Sequence, residues 1–298
     1  LGLQWDEPGL LAEAEAQAPE IAERLEADRA FDLIGGAAGA ITGLLALHRH
    51  RPAAPTLEAA VACGEHLLRH ARRERGGLAW PSPQGADLPP LTGLAHGTAG
   101  IAWALAALAV PSGRRDFAAA ARQALAYERS WFSPEKNNWP DLRQAPGGEP
   151  AYWHAWCHGA PGIGLGRLAL LDTLDDPELE GEIRAALAST REDGFGASHC
   201  LCHGDLGNLD LFLQAAQRLG DAELDTEARW LSSRILEAVE RDGPRCGVGG
   251  DGELPGLMTG LAGIGYGLLR AADPRRVPSV LLLETPGGDR GPGTERRG

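Results

Sequence analysis

Short apolar runs alternate along the chain with longer runs that carry charge on one side. Each of five apolar runs follows the pattern Gly-x-x-Gly, which occurs at residues 36–39, 97–100, 159–162, 204–207 and 260–263. The run at 101–108 has no charged residue, and a helix that is apolar on every side must be buried on every side. The runs at 116–130 and 222–242 are amphipathic, which indicates helices exposed along one face. Each repeat therefore predicts an inner, buried helix paired with an outer helix.

Strand signals are sparse, because β-branched and aromatic residues are few and do not alternate with polar ones. We therefore predict an all-α fold, an α/α toroid in which inner helices pack side by side within a layer of outer helices. Glycine at the start of the inner helices lets backbones approach closely where several helix ends converge. The glycine-rich N-termini are thus expected to meet at one end of the barrel. The proline- and glycine-rich segment 78–90 predicts a loop.

Composition narrows the functional class. The net charge of −13 argues against binding of nucleic acid, because the chain offers no basic surface for a phosphate backbone. It has no apolar run of about 18 residues, so no membrane span is expected. Five cysteines, an odd number, without a recognisable signal peptide indicate a reducing cytoplasm and not a disulfide framework. We predict a cytoplasmic protein with a domain at residues 1–284 and a disordered tail at residues 285–298.

Cysteine and histidine stand directly before the glycine patterns. The triplet Cys-His-Gly occurs at 157–159 and at 202–204, and His96 precedes Gly97. Both residue types bind zinc, and a helix N-terminus lowers the pKa of a nearby thiol, which favours a thiolate ligand. The triplets lie 45 residues apart with no local Cys-x-x-Cys, unlike a zinc finger. A single cysteine or histidine at such a position is more often a packed residue that binds no metal. Their recurrence at equivalent positions of several repeats predicts a catalytic metal site whose ligands come from distant parts of the fold.

Four segments of the chain resemble signatures of the LanC-like lanthionine cyclases. Two are similar to the zinc motifs of that family, Trp156-Cys157-His158-Gly159-Ala160-Pro161-Gly162-Ile163-Gly164 and Leu201-Cys202-His203-Gly204-Asp205-Leu206-Gly207-Asn208. Segments 94–101 and 31–36 match two further signatures. The stretch from 255 to 281 is similar to the C-terminus of LanM-type (class II) lanthipeptide synthetases. The resemblance extends from Asp32 to Glu284.

The resemblance implies an α/α toroid of seven helical units, with a zinc ion held by Cys157, Cys202 and His203. Five units are recognisable here. We therefore expect an incomplete toroid that is the C-terminal part of a longer synthetase, with two further units and a dehydratase domain upstream. The implied reaction is a thioether-forming cyclisation in lanthipeptide (lantibiotic) biosynthesis. In it, a cysteine thiolate of a dehydrated precursor peptide adds to a dehydroalanine or dehydrobutyrine of the same peptide.

The same resemblance implies roles for the residues around the metal. His96 matches the catalytic histidine and is the expected proton donor to the α-carbon. Asp32 matches an acidic residue that would orient His96, although capping of the first inner helix explains it equally well. Trp156 and His158 are expected to bind substrate as lining of the pocket, with core packing an equal alternative for Trp156. On the residues alone His158 could also complete a Cys2His2 set, but that closed set leaves no place for a substrate.

Other residues near the motifs are assigned no chemistry. Trp153 stands where some family members carry an arginine, so stabilisation of an enolate by an arginine at that position is not expected. Cys200 is interpreted as a flanking residue that turns away from the site, and Cys63 and Cys246 as small core residues. The segment 139–143 is expected to form a structural loop over the pocket mouth.

Two rival functions fit parts of the pattern. A protein prenyltransferase also activates a thiol at zinc on an α/α barrel, but it needs an Asp-Cys-His ligand set and a basic pocket for a diphosphate. The glycine motifs here carry no basic cluster. The second rival is a non-catalytic LanC-like module that binds zinc and thiols. His96 argues against it, because binding alone needs no proton donor.

Overall fold

The computed structural model of the chain describes residues 5–82, 85, 88–143, 149–248 and 252–285. These residues contain two short β-strands and ten α-helices, none of which has the length and apolar character needed to span a bilayer. The elements are α1 Pro8–Arg24, α2 Ala37–His50, α3 Ala54–His70, β1 Arg72–Glu74, β2 Gly77–Ala79, α4 Thr98–Ser112, α5 Arg115–Arg129, α6 Ala160–Leu170, α7 Leu179–Asp193, α8 Asp205–Leu219, α9 Ala222–Asp242 and α10 Leu261–Ala272. Single 3₁₀ turns lie at Leu25–Ala27 and Val280–Leu282.

The helices form two layers. The inner helices α2, α4, α6, α8 and α10 contact one another in chain order, and the outer helices α3, α5, α7 and α9 each cover the inner helix before them. This is the α/α toroid fold predicted from the sequence. Every inner helix begins directly after the first glycine of a Gly-x-x-Gly pattern, and that glycine is its N-cap, so the predicted helix starts are confirmed. The two further units that the family resemblance implies stay a prediction.

Helices α4 and α5 show how the layers divide the apolar surface. The first nine residues of the inner helix α4 are buried on all sides, and Ile101 and Leu105 are almost fully excluded from water. The outer helix α5 buries one face, which carries Phe117, Ala121 and Leu125, and exposes the charged residues of its first two turns. Removal of this apolar surface from water is the main favourable term in folding. The core therefore lies along the inner helices and beneath the outer ones.

The second glycine of each pattern lies against the turn that precedes its helix. A Cβ atom at Gly39 would overlap the carbonyl oxygen of Leu33, and a Cβ atom at Gly162 would overlap that of Trp156. The contact recurs in the other three repeats, between Gly100 and Leu94, Gly207 and Leu201, and Gly263 and Leu257. Only glycine lets the chain fold back over the helix N-terminus this closely. The first glycine has nearly the same backbone conformation in four of the repeats, whereas Gly159, the N-cap of α6, has a positive φ of 87°.

A buried ion network joins α5, α6 and α7. Arg167 on α6 is fully buried, with nitrogen–oxygen distances of 2.9 Å to Glu128 on α5 and 2.6 Å to Glu182 on α7. Buried charges of this kind are tolerated when each has its partner. Glu128 also accepts a hydrogen bond of 2.8 Å from the backbone N–H of Gly93. The network thus anchors the turn that leads to His96.

One detail outside the repeats differs from the sequence predictions, whereas the disordered tail at residues 285–298 stays a prediction. Strands β1 and β2 pair as an antiparallel hairpin, and β2 overlaps the segment 78–90 that predicts a loop. Thr285, the first residue of the predicted disordered tail, hydrogen-bonds through Oγ1 to His50 Nε2 at 2.7 Å. The remaining tail residues, 286–298, lie outside the described residues.

Candidate metal centre and active site

Two cysteines and a histidine meet at the N-terminal ends of neighbouring inner helices. Cys157 lies in the turn before α6, and Cys202 and His203 lie in the turn before α8. One ligand atom from each residue lies within 4.8 Å of the other two, and all three residues are half-buried. The backbone N–H of Cys157 donates to the carbonyl of Cys202 at 3.3 Å, and that of Cys202 donates to Met258 at 2.9 Å. Three successive turns therefore interlock around the cluster.

The chemistry of this donor set fits a zinc ion. Two thiols and an imidazole belong to the ligand types that zinc prefers. His203 Nε2 lies 2.8 Å from the carbonyl oxygen of Gly247, so Nδ1 is the nitrogen available to a metal. A metal-binding histidine commonly donates its other ring N–H to a carbonyl in this way. Because the cluster is only half-buried, a further ligand can reach it from solvent.

Hydrogen bonds within the cluster shift its pKa values. The hydrogen bond between the two thiols lowers the pKa of Cys157 and raises the pKa of Cys202. The pKa of His203 rises to about 10, first through its hydrogen bond with Cys200 and then through that with Cys202. The cluster therefore stabilises a thiolate at Cys157, and a thiolate is the form of cysteine that binds a metal.

His96 and Asp32 form a second group of polar side chains, in the turns before α4 and α2. Asp32 is buried, and its Oδ2 lies 2.9 Å from His96 Nδ1. The other carboxylate oxygen accepts hydrogen bonds from the backbone N–H groups of Ile34 and Gly35, at 3.0 and 2.8 Å. The carboxylate thus favours the tautomer of His96 that is protonated at Nδ1 and leaves Nε2 for other chemistry.

Asp32 is not the cap of the first inner helix. The N-cap of α2 is Gly36, and the first helical N–H, at Ala37, donates to Asp28 Oδ2 at 3.0 Å. The capping alternative from the sequence is therefore wrong for Asp32. Its side chain holds the preceding turn and contacts His96.

His158 lies next to both the Cys157, Cys202 and His203 cluster and the His96–Asp32 pair. Its ring stacks on the ring of His96 with 5.7 Å between the centroids, and it follows Cys157 directly in the chain. Burial, followed by the charge of Arg143, lowers the pKa of His158 to about 4, so the imidazole is neutral at pH 7. Its Nδ1 has no hydrogen-bond partner among the described residues. His158 therefore lies beside His96 and outside the Cys157, Cys202 and His203 cluster.

Comparison with known proteins identifies the family. A family model described as "Lanthionine synthetase C-like protein" matches residues 3–282. The chain belongs to the lanthionine synthetase C-like family. The solved structure of nisin cyclase is similar, with a TM-score of 0.67 and 20% sequence identity, over 87% of this chain and 68% of that chain. The cellobiose 2-epimerase of Spirochaeta thermophila DSM 6192 shares the fold, with a TM-score of 0.54 and 16% identity, over 77% of this chain and 71% of the epimerase chain.

A curated relative extends the family comparison to a longer protein. The "Lacticin 481/lactococcin biosynthesis protein LcnDR2" of Lactococcus lactis subsp. lactis is 27% identical over 159 residues. The match covers 49% of this chain and 17% of the relative. This lanthionine synthetase C-like chain thus corresponds to a small part of that relative's length.

Two tryptophans of this lanthionine synthetase C-like chain lie close to the first Cys-His-Gly triplet. Trp156 is buried in the hydrophobic core, and its Nε1–H donates to the carbonyl of Leu281 at 3.3 Å. The structure therefore agrees with core packing, the alternative to a substrate-binding role for Trp156. Trp153 is exposed, and its carbonyl accepts a hydrogen bond from Asn138 Nδ2 at 3.1 Å. Trp156 thus supports the turn that carries Cys157.

Cys200 is a residue near the site that the sequence interpretation misjudged. Its thiol is buried and hydrogen-bonds to the ring of His203, so the expectation that it turns away is wrong. The available signal was a third cysteine two positions before Cys202. Cys200 therefore acts on a candidate ligand from outside the ligand cluster.

Arg143 is the second misjudged residue. It belongs to the segment 139–143, which was expected to form a structural loop over the pocket mouth, and its charge also acts on the site. The hydrogen bond from Cys202 is the largest cause of the lowered pKa of Cys157, and the positive charge of Arg143 contributes to it. Burial is the largest cause of the lowered pKa of His158, and the positive charge of Arg143 lowers it further. The available signal was a cation directly after the Asp141-Leu142 pair in a segment with a family resemblance.

Proposed function

We propose that this chain is a zinc-dependent lanthionine cyclase that acts on a dehydrated precursor peptide. The observation that carries the proposal is the arrangement of side chains at one end of the toroid. There the cluster of Cys157, Cys202 and His203 lies next to the His96–Asp32 pair, and His158 lies beside both. Addition of a thiol to a double bond needs thiol activation and a proton donor. The two groups are suited to these two tasks. Family membership and the fold shared with nisin cyclase support the same conclusion.

A zinc ion held by Cys157, Cys202 and His203 would lower the pKa of a substrate thiol into the neutral range. The resulting thiolate adds to the β-carbon of dehydroalanine or dehydrobutyrine, and the π electrons of the double bond move toward the carbonyl oxygen. A proton must then reach the α-carbon, and His96 Nε2 is suited to deliver it. Asp32 would stabilise the imidazolium form of His96 and fix its orientation. The thiol loses one proton and the α-carbon gains one, so the peptide mass is unchanged.

The rival functions fit the site less well. A prenyltransferase needs an aspartate, a cysteine and a histidine at the metal, whereas the cluster among the described residues has two cysteines and a histidine. A non-catalytic thiol-binding module has no use for a buried carboxylate that orients a histidine next to the cluster. An upstream dehydratase domain stays a prediction.

The experiment that tests the function uses a dehydrated peptide with one dehydroalanine and one free cysteine. The full-length protein that carries this sequence is incubated with it in the presence of zinc, and remaining thiol is measured by alkylation and mass spectrometry. A cyclase removes the thiol without a change in peptide mass. Zinc binding without thiol loss from any dehydrated peptide would instead favour the thiol-binding module.

A further inference from the structure

We propose that Arg143 is a catalytic residue that stabilises the negative charge on the substrate's carbonyl oxygen during ring closure. The inference rests on the proposed cyclase function and assigns one further residue to it. The β-carbon addition leaves an electron pair shared between the α-carbon and the carbonyl oxygen until the α-carbon is protonated. A fixed cationic donor at that oxygen lowers the barrier, because the charge is present in the transition state and absent from the starting peptide.

Arg143 lies at the end of a loop that is fixed on two sides. The hydroxyl of Thr92 donates to the carbonyl of Pro140 at 2.5 Å, which ties the loop to the segment that leads to His96. The backbone N–H of Asp141 donates to the carbonyl of Ala151 at 2.7 Å, which ties it to the segment that leads to Cys157. The loop is therefore held between the two groups of the candidate site.

A buried carboxylate orients the guanidinium of Arg143. Its Nε lies 2.9 and 3.0 Å from the two carboxylate oxygens of Asp141, and its Nη2 lies 2.6 Å from Oδ2. Asp141 is 4% exposed. Burial opposes ionisation of this carboxylate, but the hydrogen bonds from Arg143 keep its pKa below the usual value. A paired, planar guanidinium of this kind is rigid, which is the condition for a preorganised donor.

The ion pair leaves one nitrogen of Arg143 for a ligand. No hydrogen bond joins Nη1 to the residues that the structure describes, and the side chain is 36% exposed. The loop that carries the guanidinium is hydrogen-bonded to Thr92, and the next residue, Gly93, packs against the backbone carbonyl of Cys157 and against His158. A peptide whose thiol is at the cluster would thus present its dehydro residue within reach of this nitrogen.

The atoms balance without any other reactant. The sulfur–β-carbon bond forms, the carbon–carbon double bond becomes single, and the electron pair rests on the carbonyl oxygen while Nη1–H donates to it. Arg143 keeps its protons throughout, because its guanidinium stays charged in proteins. His96 then supplies the proton to the α-carbon, and the carbonyl is restored.

The test compares Arg143→Met with a matched loss of charge, Arg229→Met. Arg229 forms an exposed pair with Asp225 on α9, with nitrogen–oxygen distances of 3.0 and 2.7 Å. Ring-closure kcat and KM, zinc content and the thermal unfolding midpoint are measured for each protein. Arg143→Met should lower kcat by about 10²–10³-fold with KM and zinc content unchanged, and it should also lower the unfolding midpoint, because the buried Asp141 loses its partner. Arg229→Met should match the wild type in all four.

The results separate this inference from the proposed function. Wild-type protein that closes no ring refutes the proposed function itself. Wild-type cyclisation with an unchanged kcat in Arg143→Met refutes only the role of Arg143, as does a loss of zinc or a changed KM with kcat intact. If Arg143→Met does not fold, Arg143→Lys decides the question. A folded lysine variant with a lowered kcat and full zinc supports the assignment, and one with wild-type kcat overturns it.

Discussion

Side chains at the candidate site are positioned by groups that do not themselves react. Asp32 holds His96 on one side and accepts two backbone N–H groups on the other. Gly247 holds the ring of His203 through its carbonyl. The orientation of each imidazole is therefore fixed before any ligand arrives, which limits the reorganisation that binding or catalysis requires.

The first residue-scale prediction concerns the metal. Wild-type protein should bind about one zinc per chain, and Cys202→Ala should weaken zinc binding at least tenfold, because a three-residue donor set loses a thiolate. Metal content after dialysis against a weak chelator measures the effect. Cys63→Ala is the control, because Cys63 is buried in α3, away from the cluster. Full zinc content in a Cys157→Ala, Cys202→Ala double variant would refute the ligand assignment.

At the scale of secondary-structure elements, the position of the site depends on how each inner helix begins. The turn before each helix folds back so closely that a Cβ atom on the second glycine would overlap a carbonyl oxygen of the turn. In α2, this contact joins Gly39 to Leu33, and Leu33 follows Asp32 directly. The start of α2 and the position of the Asp32 carboxylate therefore depend on the same turn.

The α2 helix offers a matched pair of substitutions that tests this feature. Gly39→Ala should lower the free energy of unfolding by about 1–3 kcal/mol, because the new Cβ displaces the turn that carries Asp32. Gly43→Ala, one turn later in the same helix, meets nothing within 4 Å and should stabilise the protein by about 0.5–1 kcal/mol. Urea denaturation measures both. Equal effects of the two substitutions would contradict the proposed reason for the repeated glycine.

The sequence predicted the elements that recur in every repeat well, and it predicted the elements that occur only once poorly. The glycine patterns marked every inner helix start, because the steric requirement for glycine recurs in each repeat. The same repetition singled out His96, Cys157, Cys202 and His203. Strand β1 was missed because its three residues are all charged and exposed, with no apolar alternation to reveal it.

Residues from unrepeated loops could not be placed from the sequence. The role of Gly247 depends on a carbonyl that any residue could supply, and Arg143 looks like an ordinary loop cation until Asp141 is seen to hold it. Trp156 belongs to a family motif, but its motif position does not reveal that its indole packs inward against Leu281. Tertiary contacts alone distinguish these cases.

At the scale of the whole molecule, the repeats are joined by charge as well as by apolar contact. Arg167 links the outer helix of one repeat to both helices of the next through Glu128 and Glu182. Burial raises the pKa of Glu128, and Arg167 opposes that shift. Removal of the arginine would leave a carboxylate with an uncompensated charge in the interior.

Arg167→Met should therefore destabilise the protein by about 3–5 kcal/mol. A second substitution in the same chain, Glu128→Gln, removes the unpaired negative charge and should recover part of the lost stability. Arg184→Met is the control, because Arg184 pairs with Glu180 on the surface of α7, and it should change stability by less than about 0.5 kcal/mol. Chemical denaturation of the three variants and the wild type measures the difference. Similar effects for Arg167→Met and Arg184→Met would contradict a structural role for the buried network.

The fold alone does not decide the function, because sugar epimerases share it. What distinguishes this chain is the set of side chains before the inner helices. The cysteine and histidine cluster and the His96–Asp32 pair lie at the same end of the toroid, where a peptide could contact both. The central claim is therefore that the two groups act together in one reaction.

The most direct test of that claim is the rate of thiol loss from a dehydrated peptide catalysed by His96→Asn, measured on protein whose zinc content is known. We expect zinc content equal to that of the wild type and ring closure slower by about 10²–10⁴-fold, because a general acid is removed and the ligands are not. His50→Asn, at the far end of α2, should change neither quantity. Ring closure by His96→Asn at the wild-type rate with full zinc would show that the proton donor lies elsewhere and would contradict the proposed mechanism.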